Sequence, residues 1–299
     1  MLNVGETTGD AFKRSVWVLA VMSIVLLFGC REQTNPTEPV ADGAMRIVSM
    51  APNLTEILFA LGLDDEVVGV TRHCNYPPQA LTKPKIGTFW QPDVEAVLAG
   101  RPTLVIAEDF AQQRQLTEQL ERLGCATLTV KIETIAQLYD GILSIGQAVG
   151  RIEQAQTLIS RLKAAQDVLQ TSIADQPPLK VLWVIQRQPL RVAGTKTFIN
   201  EMIEAVGGVN AIGPTVNVYP PISAEDVIAA WPDVIIEPAN MPNSREAQTR
   251  SAGEFYAAFR SVPAVRNKRV YVIDGDLVSR LSPRLDQSLA EIARCLRQD

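Results

Sequence analysis

Residues 134 to 174 read as helix for some 40 residues, broken only near Gly150, and short β-rich runs alternate with helical patterns on either side of that stretch. The part after Gly150, with QAQTLISRLKAAQDVLQTSI at its heart, predicts one helix from Arg151 to Ala174, about 36 Å long at 1.5 Å per residue. Strands alternating with helices imply parallel sheets, and a helix of that length between two such regions implies a chain laid out as lobe, helix, lobe. The predicted fold class is therefore α/β: two Rossmann-like lobes with parallel sheets joined by one long backbone helix. The expected boundaries are 45–150 for the N-terminal lobe, 151–176 for the linking helix and 177–299 for the C-terminal lobe. At 299 residues the chain is long enough to bury real cores without disulfides.

Within the first lobe, Ile47 and Val48 start a strand that runs into Pro52 and Asn53, and Asn53 with Glu56 has the spacing of a capping box. Leu54, Ile57, Leu58 and Leu61 then recur at helical spacing until Gly62 ends the helix. Further strands are expected at Val67–Thr71, Thr103–Ala107 and Ala126–Val130, with helices near 93–99 and 112–123. In the second lobe, strands are expected at Val181–Ile185, Val234–Glu237 and Val270–Ile273, and a helix from Thr197 to Val206. The two lobes echo one another. DVEAVLAGRPTLVIA from Asp93 and SAEDVIAAWPDVIIE from Ser223 align without gaps, sharing Glu95 with Glu225, Val97 with Val227, Ala99 with Ala229, Pro102 with Pro232 and Ile106 with Ile236.

The N-terminus reads as an address. Lys13 and Arg14 precede an uncharged run from Ser15 to Gly29, about fifteen residues and too short for a bilayer span of roughly 20. It ends Leu27, Phe28, Gly29, Cys30, which resembles the lipobox of bacterial lipoproteins. That resemblance implies a signal peptide over 1–29, diacylation of Cys30 and membrane anchoring by lipid. Residues 30–44, polar with Pro36 and Pro39, suit a flexible tether. The expected location is the periplasmic side of a bacterial membrane, or the cell surface of a Gram-positive cell. A net charge of −5 without a basic run excludes a nucleic-acid footprint. A single histidine, His73, argues against a multi-imidazole metal site, so no resident metal or cofactor is expected.

From Arg46 onward the chain resembles the iron and cobalamin class of periplasmic binding proteins (class III), the solute receptors of importers driven by ATP, and within it the cobalamin-binding members. The pieces that carry the likeness are RIVSMAPNLTEILFALG, Tyr76 to Pro78, TFWQPDVEAV from Thr88, GTKTFINEMIEAVGGVNAI from Gly194, YPPIS from Tyr219 and DLVSRLSPR from Asp276. The resemblance implies a monomeric binding protein with a small-molecule ligand between its lobes. His73, Trp90 and Tyr219 would be aromatic ligand contacts and Asp276 and Arg280 polar ones, with Glu95 and Glu225 docking onto an ABC permease that works with its ATPase. A flat corrinoid would suit such a set, since aromatics cover macrocycle faces and polar groups meet the rim. Glu108 stands where those members place an aromatic.

Residue by residue, bland roles stay open: Trp90 as core, His73 as an exposed loop residue, Asp276 and Arg280 as a simple pair one helical turn apart. Haem is an alternative ligand, with His73 as axial ligand and Arg187, Arg191 or Arg280 for propionates, and a ferric siderophore is another. An enzyme using His73 and Cys74 as base and nucleophile is disfavoured, because neighbours in an extended segment project apart and no GxSxG turn occurs. A partner-binding or sensory protein on the same fold is a further alternative. Cys74 follows one strand and Cys125 precedes another, so in a parallel sheet they lie at opposite edges, beyond disulfide reach. The cobalamin-binding members bridge a cysteine near Cys295 to a position that here is Val206, so that bridge is missing.

Overall fold

The computed structural model describes residues 44–239 and 245–297. The expected signal peptide, Cys30 and nearly all of the tether lie outside the described residues. The first sheet holds β1 (Ile47–Ser49), β2 (Val67–Val70), β3 (Leu104–Glu108) and β4 (Thr127–Val130), all parallel, in the order β2-β1-β3-β4. Helices α1 (Pro52–Ala60), α2 (Val94–Ala99) and α3 (Ala111–Arg122) connect these strands. After α4 (Ile135–Ala148), Gly150 takes a left-handed φ of +68°, and α5 (Ile152–Ile173) follows as a single helix of 22 residues. It buries one narrow stripe, Ala155, Leu158 and Leu162, and leaves its remaining faces wholly or partly in solvent, as an amphipathic strut should.

The second sheet is built on β5 (Leu179–Arg187), with β8 (Val234–Pro238) and β9 (Val270–Ile273) parallel on one side. On its other side β5 pairs first with β7 (Gly208–Asn210), parallel, and then with β6 (Leu190–Val192), antiparallel. The helices of this half are α6 (Phe198–Ala205), α7 (Ala224–Ala230), α8 (Arg245–Tyr256), α9 (Pro263–Arg266), α10 (Gly275–Val278) and α11 (Leu285–Arg297). One buried cluster runs from Ile47 and Leu54 through Leu158 and Leu162 to Trp183 and Leu289, so both lobes and the long helix share apolar contacts. Two smaller clusters, one in each half, fill the outer faces of the sheets.

The capping box expected at Asn53 is not formed. Ala51 is the N-cap and Pro52 the first helical residue, because proline fixes φ and has no N–H to satisfy. Asn53 thereby falls inside the first turn, where its amide turns to Glu108 and Glu56 is free to pair elsewhere. The echoing segments behave as read: Asp93 caps α2 by accepting from the amides of Glu95 and Ala96, and Ser223 with Asp226 forms a capping box on α7.

Candidate functional site

Strands of a parallel sheet end on one edge, and loops leaving that edge frame a crevice. In the first lobe Pro52 and Asn53 follow β1, His73 follows β2, Glu108 ends β3 and Ile132 follows β4, and all five line one cavity of about 460 Å³. Phe198, Ser279 and Arg280 of the second lobe close its far side. A neighbouring cavity of about 360 Å³ is lined by Trp183, Tyr219, Pro238 and Asp276 at the corresponding edge of the second sheet. The two cavities share Phe198 and Ser279 and so adjoin. Their size is that of ligand sites in general.

The five residues expected to touch ligand divide between these cavities: His73, Trp90 and Arg280 line the first, Tyr219 and Asp276 the second. Trp90 is 61% exposed and belongs to no strand or helix. Its loop is held by a tight return in which Gly87, at φ +95°, lies so close to Gln91 O and Asp93 N that a Cβ would approach both within 2.8 Å. Phe89 and Phe110 pack against Trp90 edge-on, with ring centroids 4.7 Å (Phe89–Trp90), 4.8 Å (Phe89–Phe110) and 5.6 Å (Trp90–Phe110) apart. Phe110 leaves no trace of this role in the sequence except that it follows a strand end. Buried Gln113 fastens the wall: its side-chain amide donates to Met50 O at 2.8 Å and Phe89 O at 3.3 Å, and its carbonyl accepts from the Glu108 amide at 2.7 Å. Half-buried Tyr219 has its phenol pKa raised by desolvation. The Cys74 thiol is buried between the Thr55 and Thr71 hydroxyls at 3.1 and 3.2 Å, while His73 is exposed, so His73 and Cys74 do not form a catalytic pair.

Asp276 and Arg280 pair at 2.8 Å, and the pair is part of a seam between the lobes. Glu56 on α1, 2% exposed, receives Arg284 in a two-pronged bond, Nη2 to Oε1 at 2.6 Å and Nε to Oε2 at 2.8 Å, with Arg280 Nη1 at 3.4 Å from the same Oε1. Asn75 donates to Asp276 at 2.6 Å, and the Arg284 guanidinium lies 4.0 Å from the centroid of the Tyr76 ring. Burial opposes the charge on Arg284, and the Glu56 carboxylate together with Tyr76 and Asp274 more than offsets it, so its pKa ends above the ordinary arginine value. The sequence offers Glu56 only as a capping-box candidate and Arg284 only as the end of DLVSRLSPR, and with 228 positions between them nothing local pairs the two.

The arginines considered for propionates are engaged or peripheral. Arg187 pairs with buried Glu237 at 3.2 Å, and exposed Arg191 reaches the Tyr219 carbonyl at 3.3 Å. Glu95 and Glu225 are exposed in the first turns of α2 and α7, and among the described residues neither pairs with a base. Cys74, Cys125 and Cys295 are free thiols, with burial pushing Cys295 up to about 11. Among the described residues no helix is long and apolar enough to cross a membrane, and no cluster of three or more potential metal ligands occurs.

Two α/β lobes with a ligand-sized crevice at the carboxyl ends of both sheets define a two-lobed binding protein. The chain belongs to the periplasmic binding protein family, whose model matches residues 47–277. It is 28% identical, over 96% of its length and 98% of the relative's, to the uncharacterized ABC transporter substrate-binding lipoprotein YvrC of Bacillus subtilis (strain 168). It is 26% identical to the vitamin B12-binding protein of Vibrio cholerae, over 85% of this chain and 90% of that one. Among solved structures, the periplasmic heme-binding protein HutB of Vibrio cholerae superposes with a TM-score of 0.74 at 27% identity, covering 85% of this chain and all of that one.

Proposed function

We propose that this chain is the lipid-anchored substrate-binding protein of an ABC importer, capturing a corrinoid such as cobalamin between its lobes and delivering it to the membrane permease. The observation that carries the reading is the pair of adjoining cavities, the first lined by Phe89 and Trp90, with Phe110 packed against both rings, and the second by Trp183 and Tyr219, with Phe198 shared between them. Aromatic side chains in both adjoining cavities, Phe89 and Trp90 in one and Tyr219 in the other, suit the apolar faces of a flat macrocycle, and Asn53, Glu108 and Ser279 supply polar groups for its rim. The likeness to a vitamin B12-binding protein supports the same ligand class.

Haem is the second reading. It is favoured by His73 in the larger cavity and by the likeness to a heme-binding protein, and it is weakened by Arg187 and Arg280 being held by carboxylates of the protein itself. Docking would use Glu95 and Glu225. Glu95 follows the cavity residue Trp90 by five positions and Glu225 follows Tyr219 by six, which keeps each glutamate within about 22 Å of the crevice along the chain. Lipid attachment at Cys30 is supported by the LFGC sequence and by a relative named as a lipoprotein. Calorimetric titration with cyanocobalamin tests the reading: Trp90→Ala and Tyr219→Ala should each cost about 1 to 4 kcal/mol of binding, in the range of buried aromatic anchors. An absence of binding by the unaltered protein, or unchanged affinity in both variants, rejects the corrinoid assignment.

A further inference from the structure

The larger cavity has one acidic lining residue, Glu108, and it is fixed in place. Asn53 Nδ2 donates to its carboxylate at 2.5 Å, Asn53 is itself tied down by accepting from the Leu54 amide at 2.9 Å, and the Glu108 amide is held by Gln113. Among the described residues no guanidinium pairs with it. Arg280 lines the same cavity, but its Nη2 is on Asp276 at 2.8 Å and its Nη1 faces Glu56 at 3.4 Å. Arg280 and Arg284 are thus taken up by Glu56 and Asp276, which leaves Glu108 without a cationic partner among the described residues. Burial already disfavours ionisation of Glu108, the Asn53 bond partly offsets this, and Glu133 adds to it. A ligand carboxylate brought beside Glu108 in this partly desolvated site either meets like charge or forces one of the two groups to take up a proton, whereas an amide N–H meets an acceptor in a set orientation.

We propose that Glu108 is a specificity-determining residue of the crevice, admitting macrocycles whose rim carries neutral amides and disfavouring those whose rim carries carboxylates. This deepens the corrinoid reading above and rests on it.

The test is a matched pair of probes, dicyanocobinamide, whose corrin rim carries amides, and dicyanocobyrinic acid, whose rim carries carboxylates at the same positions. Both are titrated by calorimetry into the unaltered protein and Glu108→Gln, which keeps the side chain's shape and an oxygen for Asn53. The expected result is a preference of at least about tenfold for the amide form, reduced by about tenfold in the variant, chiefly through tighter binding of the carboxylate form. Glu108→Ala removes the same charge and should move the ratio in the same direction, so poor folding of one variant does not remove the test. An equal ratio in the unaltered protein and the variants overturns the proposal while leaving corrinoid capture standing. Binding of neither corrin by the unaltered protein overturns the corrinoid reading and this proposal together, and tight haemin binding without corrin binding does the same while pointing to the haem reading.

Discussion

From Asp93 to Ala107 in the N-terminal lobe and from Ser223 to Glu237 in the C-terminal lobe the chain builds the same unit. Each has a side-chain-capped short helix with a glutamate in its first turn, then a residue with positive φ, a proline, and an interior strand standing third in its sheet's order. The positive-φ residues are Arg101 at 44° and Trp231 at 50°, and they occupy equivalent positions in the alignment. The correspondence ends where the strands reach the crevice: β3 closes on Glu108 and β8 on Pro238. Within this unit the backbone course and the outward glutamates are therefore held in common by the two lobes, whereas the residues at the edge that meets ligand differ. A scaffold repeated in its mechanics and unlike in its binding edge is what a receptor needs if a paired partner is to grip both lobes while one asymmetric molecule lies between them.

The largest effect expected from this comparison is on docking. If the shared glutamates serve one purpose, Glu95→Arg and Glu225→Arg should each impair uptake comparably in a reconstituted importer, and the double reversal should abolish it with ligand affinity intact. The alternative role, complementing the helix dipole, is worth about 0.3 to 1 kcal/mol of stability and would leave uptake normal. Strong impairment from one reversal and none from the other would break the parallel between the lobes.

The seam tests the opposite side of the comparison, because Glu56, Arg280 and Arg284 have no counterpart in the repeat. Replacing Arg284 by Ala takes both short bonds from buried Glu56 and leaves it only the 3.4 Å contact with Arg280; removing one partner of a buried pair typically costs about 3 to 5 kcal/mol, and the remaining contact sets the expected loss at about 3 kcal/mol. Urea unfolding should show that loss. Ligand affinity should fall as well, since Arg280 and Asp276 are oriented by the same network. A loss below about 1 kcal/mol would mean the pair is dispensable and the lobes are held by their shared apolar core alone.

These contrasts explain what could be read from the sequence. Strand and helix periods are local, so the sheets, the long helix and the capped units at Asp93 and Ser223 were visible in it. Trp90 was recognisable as a loop aromatic because glycine and proline bracket TFWQP. Asn53 misled because a capping-box spacing and a first-turn proline make competing claims on the same turn, and Pro52 prevails by its fixed φ. The Glu56–Arg284 bond, the Phe89–Phe110 contact and the cavity role of Phe198 depend on tertiary approach, which no local period encodes.

The smallest effect concerns the two strained residues. A non-glycine residue in the left-handed region carries about 1 to 2 kcal/mol of steric cost, and glycine relieves it while losing roughly 0.5 to 1 kcal/mol through the freer unfolded chain. Arg101 is exposed, so its side chain contributes little packing, and Arg101→Gly should stabilise the protein by about 0.5 kcal/mol. Trp231 is 45% exposed, so more than half of a large apolar side chain is covered, and its removal forfeits on the order of 1 to 3 kcal/mol. Trp231→Gly should therefore destabilise despite the same backbone relief. Urea midpoints for the two variants measured side by side decide this. Opposite signs would mean that the lobes share a backbone requirement and differ in what each packs against it, whereas equal gains would show that the indole contributes no stability and that strain alone is common to both positions.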